Sequence, residues 1–146
     1  MKYVVGFLFR PELDSVVTIR KTKPDWQRGK LNGVGGKVEF GEKPVEAMTR
    51  EFYEETGAAV LEGRWSEFLV MDGPGWVVHC FCAVGAEEVE TKTEEEVVEF
   101  NHVLGSVLGR CNVLPNLLWV IPMALDHLQN PKGPKTAEVT YTAHQE

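Results

Sequence analysis

The sequence predicts one mixed α/β domain (α+β class), and three observations support this prediction. Short apolar or β-branched runs recur along the 146 residues, helical patterns separate some of them, and no repeat or linker divides the chain. The hydrophobic fraction of 43% and charged fraction of 25% are typical of a globular protein that builds its own core. We expect residues 1–130 to form this domain and residues 131–146 to be a C-terminal tail, part of it loosely packed.

The first half of the chain predicts two strands and a helix. The runs VVGFLF (4–9) and SVVTIRK (15–21) are strand-like, and the turn-prone PELD joins them. After a polar loop and a glycine-rich stretch, residues 44–56 follow a helical pattern, with Pro44 in the first turn and Gly57 just past the end. Val45, Met48 and Phe52 lie on one stripe of this helix and predict its buried side.

The second half predicts a hairpin, a short strand and a second helix. Strand-like runs at 64–71 and 76–84 flank the turn sequence DGPG. An acidic loop at 85–96 precedes VVEF (97–100), which we expect to be a strand. Residues 116–128 predict a helix that begins or kinks near Pro122.

The composition excludes several classes of protein. With 15 Lys and Arg against 22 Asp and Glu, the net charge of −7 disfavours binding of a nucleic-acid polymer and favours a divalent cation. No apolar run reaches the roughly 18 residues of a membrane span. The N-terminus lacks the pattern of a signal peptide, so we expect a cytoplasmic protein with no membrane partner.

The three cysteines do not form a recognisable metal or disulfide motif. Cys80 and Cys82 stand two residues apart in a predicted strand, so they share one face and cannot easily bridge, and Cys111 is distant in sequence. We interpret all three as reduced thiols.

Three glutamates of the first helix share one face. Glu51, Glu54 and Glu55 are spaced i, i+3 and i+4, near the C-terminal end of the helix where the helix dipole disfavours anions. A solvated acidic face is one explanation. A bound cation that compensates the repulsion is the other, and oxygen-only ligands favour Mg²⁺, with Mn²⁺ as a substitute.

Residues 36–58 resemble the signature of the Nudix family, G-x5-E-x7-R-E-U-x-E-E-x-G-U, where U is a bulky apolar residue. Only Ala58 is small for its position, and the matching residues are Gly36, Glu42, Arg50, Glu51, Phe52, Glu54, Glu55 and Gly57. The resemblance implies an α/β/α sandwich with a mixed sheet and a catalytic loop-helix. It also implies hydrolysis of a nucleoside diphosphate linked to a further group.

The resemblance implies a role for each residue of the signature. Glu51, Glu54 and Glu55 would bind divalent cations, and Glu42 would lie near them. Arg50 would orient the glutamates, the Gly35 carbonyl would be a metal ligand, and Lys37 would face the phosphates.

The general base has two possible locations. Glu51 is one candidate, and the loop TEEEVVEF offers Glu94, Glu95, Glu96 and Glu99. We favour Glu96 as the base, and also as a metal ligand, because it directly precedes the VVEF segment. A solvated acidic loop is the alternative interpretation of this segment.

The substrate is less well specified. LNGVGGKV resembles the stretch preceding the signature in MutT-like enzymes that hydrolyse oxidised purine nucleoside triphosphates, which implies a base contact from Asn32. The late segment NVLPNLLWVIPMAL is similar to the region where those enzymes place a base-contacting polar residue and a tryptophan, which implies base contacts from Asn116 and Trp119. Three candidates for nucleotide binding have an alternative role. Trp119 would be a buried anchor of the last helix, Asn116 a helix cap and Lys21 part of a solvated basic loop. We expect a small nucleotide substrate, most simply a triphosphate cleaved to monophosphate and pyrophosphate. ADP-ribose or nucleotide-sugar hydrolysis and a non-catalytic nucleotide sensor are the alternatives, and the sequence does not determine the oligomeric state.

Overall fold

Strand β1, Lys2–Phe9, lies at the centre of the sheet in the computed structural model, which describes residues 1–101, 112–133 and 136–142. The other strands are β2 Ser15–Arg20, β3 Leu31–Asn32, β4 Val34–Lys37, β5 Ser66–Gly73, β6 Trp76–Val84, β7 Val97–Asn101 and β8 Ala137–Thr140. The helices are α1 Pro44–Thr56 and α2 Leu117–Gln129, with short 3-10 turns at Asp25–Gln27 and Glu62–Arg64.

The sheet is mixed, as the sequence predicts. Within the described ranges its strand order is β3-β2-β1-β6-β5-β8, with β4 added to β1 and β7 added to β2. One edge of β1 pairs with β6 in parallel along its whole length. The other edge pairs antiparallel with β4 in its first half and with β2 at its end. This division of one edge brings the glycine-rich strand β4 into the middle of the sheet.

Each face of the sheet carries one helix and its own apolar core. Phe7 and Phe9 of β1 point to the core that contains α2, whereas Val4 and Leu8 point to the core that contains α1. The alternation follows the period of two along a strand, and strands buried on both faces read as continuous apolar runs. The result confirms the predicted α/β/α arrangement.

Helix α1 occupies the predicted residues 44–56, and local interactions define both of its ends. Glu46 Oε1 accepts a hydrogen bond from the Lys43 N–H at 3.1 Å. Gly57 has φ of 77° and donates its N–H to the Tyr53 carbonyl at 2.8 Å, a left-handed cap that suits glycine. Phe52 is fully buried, and its ring packs edge-on against Trp65 at 5.2 Å. The helix therefore holds its glutamates on a rigid support.

The structure contains strands that the sequence analysis does not assign, in the glycine-rich stretch and in the C-terminal segment. Residues 31–37 form strands β3 and β4, because β1 and β2 pair with them. Residues 137–140 join the sheet as β8, parallel to β5, so this part of the tail is anchored. These pairings join residues distant in sequence, which local patterns do not report.

The remaining predicted elements agree closely with the structure. The hairpin is confirmed, although its first strand begins at Ser66 because Glu62–Arg64 form a 3-10 turn. Helix α2 continues through Pro122 to Gln129. No helix in the described ranges is long and apolar enough to span a bilayer.

Cys80 and Cys82 are buried side by side in the core on the α2 face and are not bonded to each other. Burial raises the pKa of Cys82 to about 12, and the pKa of Cys80 is raised as well, so both thiols stay protonated. Cys111 lies outside the described residues.

Candidate active site

The guanidinium of Arg50 connects the acidic side chains around α1. It donates to both oxygens of Glu42, at 2.8 Å and 3.0 Å, and to Glu51 Oε1 at 2.8 Å. Its Nη1 also reaches Glu54 Oε2 at 3.3 Å, and its Nη2 donates to the Lys37 carbonyl at 3.0 Å. The hydrogen bonds from Arg50 lower the pKa of Glu42. Arg50 therefore ties the helix to the preceding loop and to β4.

Glu51 lies directly over the backbone of β4. A Cβ placed on Gly36 would come within 2.4 Å of the Glu51 Oε1 atom, so only glycine leaves room for this carboxylate. The side chain of Glu51 is only 14% exposed. Burial raises its pKa, and the contacts with Arg50 oppose that shift only in part.

Glu55 lies one turn further along the helix and faces the loop before β7. Its Oε2 accepts a hydrogen bond from the Thr93 hydroxyl at 2.9 Å. Burial raises the pKa of Glu55, while the Thr93 hydrogen bond lowers it and the negative charges of Glu95 and Glu51 raise it further. An additional positive charge at this position would stabilise the ionised form.

The loop before β7 turns Glu95, rather than Glu96, toward the helix. Glu95 is 8% exposed, and both of its oxygens lie 3.3 Å from Lys21 Nζ, which donates to Oε1. Its Oε2 is buried and accepts no hydrogen bond from the residues that the structure describes. The Glu96 side chain is 64% exposed and lies 3.8 Å from Arg20. Glu95 and Glu96 differ in this way because neighbouring residues entering a strand point to opposite sides, and the role expected of Glu96 stays a prediction.

The acidic cluster suits a hard divalent cation but is not preassembled around one. Within the described residues no group of three His, Cys, Asp or Glu side chains is already arranged as a metal site. Arg50 and Thr93 hold the carboxylates instead. The side chains of this cluster offer only oxygen atoms, and among the described ranges no donor hydrogen-bonds to the buried Oε2 of Glu95. These properties match the preference of Mg²⁺ and Mn²⁺ for carboxylate and carbonyl ligands.

A cavity of about 780 Å³ lies on the face of the sheet that carries α2 and reaches Gly35, Gly36 and Lys37 of β4. Its volume falls within the range of small-molecule sites. Five residues predicted to bind metal or substrate line it: Lys21, Asn32, Gly35, Lys37 and Asn116. Gly36, beneath Glu51, lines it too, so the cavity and the acidic cluster adjoin at β4.

The two asparagines of the cavity have different partners. The Oδ1 atom of Asn32 accepts a hydrogen bond from the Gly33 N–H at 2.8 Å, which orients its amide. Asn116 precedes α2 but makes no side-chain capping bond there, and its Nδ2 lies 3.9 Å from Met71 Sδ. Asn116 therefore occupies the N-cap position of α2, where its backbone carbonyl accepts from the Val120 N–H at 2.9 Å, while its side-chain amide does not cap the helix.

Trp119 is not among the residues that line the cavity. It lies on α2, partly buried against the core, which is the anchor role that we considered as its alternative. The cavity is lined instead by Trp26, Trp76 and Tyr141. Trp76 follows the DGPG turn directly and was identifiable as a hairpin residue, but no sequence signal places Tyr141 beside it.

Solved structures with this fold include nucleotide-binding proteins. The NUDIX domain of NrtR from Shewanella oneidensis, complexed with ADP ribose, superimposes with a TM-score of 0.73 at 13% identity over 88% of each chain. A MutT structure from work on the Aliivibrio salmonicida and Vibrio cholerae proteins gives 0.70 at 20% identity, over 86% of this chain and 99% of that one.

A third similar structure is a larger protein. The bifunctional NMN adenylyltransferase/ADP ribose pyrophosphatase of Francisella tularensis, complexed with AMP and a Mn ion, gives a TM-score of 0.70 at 17% identity. The likeness covers 86% of this chain and 41% of that one. At these identities the three likenesses show a common fold. None of the curated proteins matches the chain.

A family model described as the NUDIX domain matches residues 2–106 of the 146. The match covers more than half of the chain and includes the complete signature with Arg50 and its surrounding glutamates, and the chain therefore belongs to the NUDIX family of hydrolases.

Proposed function

We propose that this protein hydrolyses a purine nucleoside triphosphate, including one with an oxidised base, to the monophosphate and pyrophosphate in a Mg²⁺-dependent reaction. The observation that carries the proposal is the continuity of the site. One cavity is lined by three amide side chains and five aromatic residues, and it reaches Gly36, directly beneath Glu51. A nucleotide bound along this cavity would place its base among the amides and rings and its phosphates beside the carboxylates.

The metal ligands that we propose are the oxygens nearest to β4 and the loop before β7. Glu51, Glu54 and Glu55 project from one helix face, and the Gly35 carbonyl and Glu95 complete the set. Mg²⁺, or Mn²⁺ in its place, would neutralise the phosphate oxygens and lower the pKa of an attacking water. Arg50 holds Glu42, Glu51 and Glu54 in position, through hydrogen bonds of 2.8–3.3 Å.

Glu95 is the general base that the geometry favours, with Glu51 as the other candidate. A base needs a fixed position, and Lys21 Nζ lies 3.3 Å from both oxygens of Glu95 and holds the carboxylate in place. In this arrangement Lys21 positions the base, whereas Lys37 at the cavity wall contacts the phosphates. Asn32 and Asn116 would read the edge of the purine, since an amide presents a donor and an acceptor side by side.

ADP-ribose is the second candidate substrate. The cavity volume of about 780 Å³ lies toward the upper end of the usual range for ligand sites. Two proteins of the same fold carry ADP ribose in their names or complexes. A sensor without activity is less well supported, because all of the signature glutamates are present.

A substrate panel with Mg²⁺ tests the proposal. Canonical and 8-oxo purine nucleoside triphosphates, ADP-ribose and dinucleoside polyphosphates should be compared, with the products identified. Release of pyrophosphate from a triphosphate supports the proposal. Turnover of ADP-ribose alone would move the function to the second candidate.

One variant tests the helix glutamates in this panel, and a second variant is its control. Glu54→Gln should lose at least tenfold in turnover, because it removes a proposed metal ligand. Glu12→Gln, an exposed glutamate in the turn between β1 and β2, should behave as the wild type. Turnover that survives in Glu54→Gln would contradict the assigned role of the helix.

A further inference from the structure

Two aromatic rings from distant parts of the chain meet in the wall of the cavity. The centroids of Trp76 and Tyr141 lie 5.6 Å apart with an interplanar angle of 44°, and both side chains line the cavity. Tyr141 remains 41% exposed, so part of its ring is available to a ligand.

The position of Trp76 is defined by Gly73, its partner across the turn. A Cβ on Gly73 would lie 2.4 Å from Cζ2 of the indole, so the ring rests on a backbone that bears no side chain. The N-terminal ammonium donates to the Gly75 carbonyl at 3.0 Å and ties down the same turn. The indole is therefore fixed before any ligand binds.

The position of Tyr141 is defined by β8. This strand pairs in parallel with β5, from Leu69 opposite Ala137 to Asp72 opposite Thr140. The Tyr141 N–H then donates to the Asp72 carbonyl at 2.7 Å. Ala137 and Val139 pack against the core on the α2 face. Strand pairing, this hydrogen bond and the core packing therefore hold Tyr141, a residue of the C-terminal segment, at the cavity.

We propose that Trp76 and Tyr141 form a stacking wall for the base of the nucleotide, and that the C-terminal segment is thereby a specificity-determining part of the substrate site. The proposal rests on the function proposed above, since it takes the ligand to be a nucleoside phosphate. The rings line the same cavity as Asn32 and Asn116, which can contact the base edge, while Gly36 and Lys37 adjoin the carboxylates. Stacking uses the faces of the base and leaves its edge to the amides.

The wall acts on binding and not on the chemical step. The proposed reacting phosphates lie beside the carboxylates, so loss of a ring should raise KM and leave kcat close to the wild-type value. Loss of stacking should weaken nucleotide binding by at least about fivefold, corresponding to roughly 1 kcal/mol or more for one base on one ring.

Equilibrium binding separates this proposal from the question of activity. GMP is titrated by calorimetry in the presence of EDTA into wild type, Tyr141→Ala, Tyr141→Phe and Trp76→Leu, and thermal unfolding is measured for each. Tyr141→Ala and Trp76→Leu should bind GMP at least about fivefold more weakly, whereas Tyr141→Phe keeps the ring and should bind as the wild type. Tyr53→Ala, an exposed tyrosine that is not among the cavity-lining residues, is the matched control and should not change affinity.

The two proposals fail in different ways. Unchanged GMP affinity in both Tyr141→Ala and Trp76→Leu, with normal unfolding, overturns the stacking wall even if the wild type hydrolyses triphosphates. A loss of GMP affinity in Tyr141→Phe equal to that in Tyr141→Ala also overturns the stacking wall, because the hydroxyl and not the ring would then bind the nucleotide. Absence of triphosphate turnover in the wild type overturns the proposed function, while selective loss of GMP binding in the ring variants still supports the wall.

Discussion

Glu51 occupies the space that a side chain at Gly36 would fill, since a Cβ there would lie 2.4 Å from Glu51 Oε1. The signature glycine and the signature glutamate therefore contact each other where α1 packs on β4. The contact places a buried carboxylate at the edge of the cavity.

Replacement of Gly36 by alanine should displace the Glu51 carboxylate. We expect at least a tenfold loss of kcat/KM, and a loss of about 1–3 kcal/mol in unfolding free energy because the added methyl group overpacks the site. Denaturant unfolding and steady-state kinetics measure the two effects. Gly63→Ala is the control, since a Cβ there meets nothing within 4 Å. Normal activity in Gly36→Ala would contradict the geometry of the site.

Arg50→Lys should disrupt the carboxylate arrangement although the charge is kept. Lysine lacks the planar fork that contacts both oxygens of Glu42 and also Glu51, so we expect at least a tenfold loss of kcat/KM. Arg28→Lys alters an exposed ion pair with Asp25 and should change little. Equal kinetics for Arg50→Lys and wild type would show that positive charge alone suffices.

Glu55→Gln should stabilise the protein in EDTA while it reduces activity. The pKa of Glu55 is raised on folding, so between the usual carboxyl pKa and this raised value the native state binds more protons than the unfolded state. Stability therefore falls as pH rises through that window and stays reduced above it. A glutamine at this position does not ionise, so the variant does not lose this stability. Its amide oxygen can still accept the hydrogen bond from Thr93.

Unfolding measured from pH 4 to 8 tests this expectation. The unfolding free energy of the variant should exceed that of the wild type at neutral pH. The difference should shrink as pH falls toward about 4.3, the usual pKa of glutamate. A variant less stable than the wild type at pH 7 would contradict it. Added Mg²⁺ should raise the stability of the wild type more than that of the variant, since only the wild type keeps the ligand.

Glu95→Gln and Glu96→Gln distinguish the two loop glutamates. Glu95 is buried against Lys21, whereas Glu96 is exposed and near Arg20. Glu95→Gln should lower kcat by roughly a hundredfold if Glu95 is the base. Glu96→Gln should stay within about twofold of wild type, because exposed ion pairs contribute little. The reverse pattern would restore Glu96 as the functional residue.

Lys21→Met tests the positioning role of the lysine. Removing the ammonium leaves the Glu95 carboxylate buried without a partner, which we expect to cost about 1–3 kcal/mol of unfolding free energy, less than for a fully buried pair because both groups keep some exposure. The double variant Lys21→Met with Glu95→Gln should recover much of this stability but not the activity. A double variant as unstable as Lys21→Met alone would show that the two residues are not coupled.

Helix α1 and its carboxylates follow from the sequence by itself. Pro44, Gly57 and the i, i+3, i+4 spacing of the glutamates act within a few residues, and helical geometry converts that spacing directly into a shared face. The family signature lies in the same stretch, which is why family, fold and acidic cluster are readable without coordinates.

The tertiary structure alone decides which other residues reach the site. Pairing of β4 with β1 converts a glycine-rich loop into a strand beneath Glu51, and a one-residue alternation before β7 selects Glu95 over Glu96. Packing of α2 turns Trp119 toward the core, while the parallel pairing of β8 with β5 brings Tyr141 to Trp76. Each of these outcomes depends on contacts between distant segments, whose energy no local pattern of residues contains.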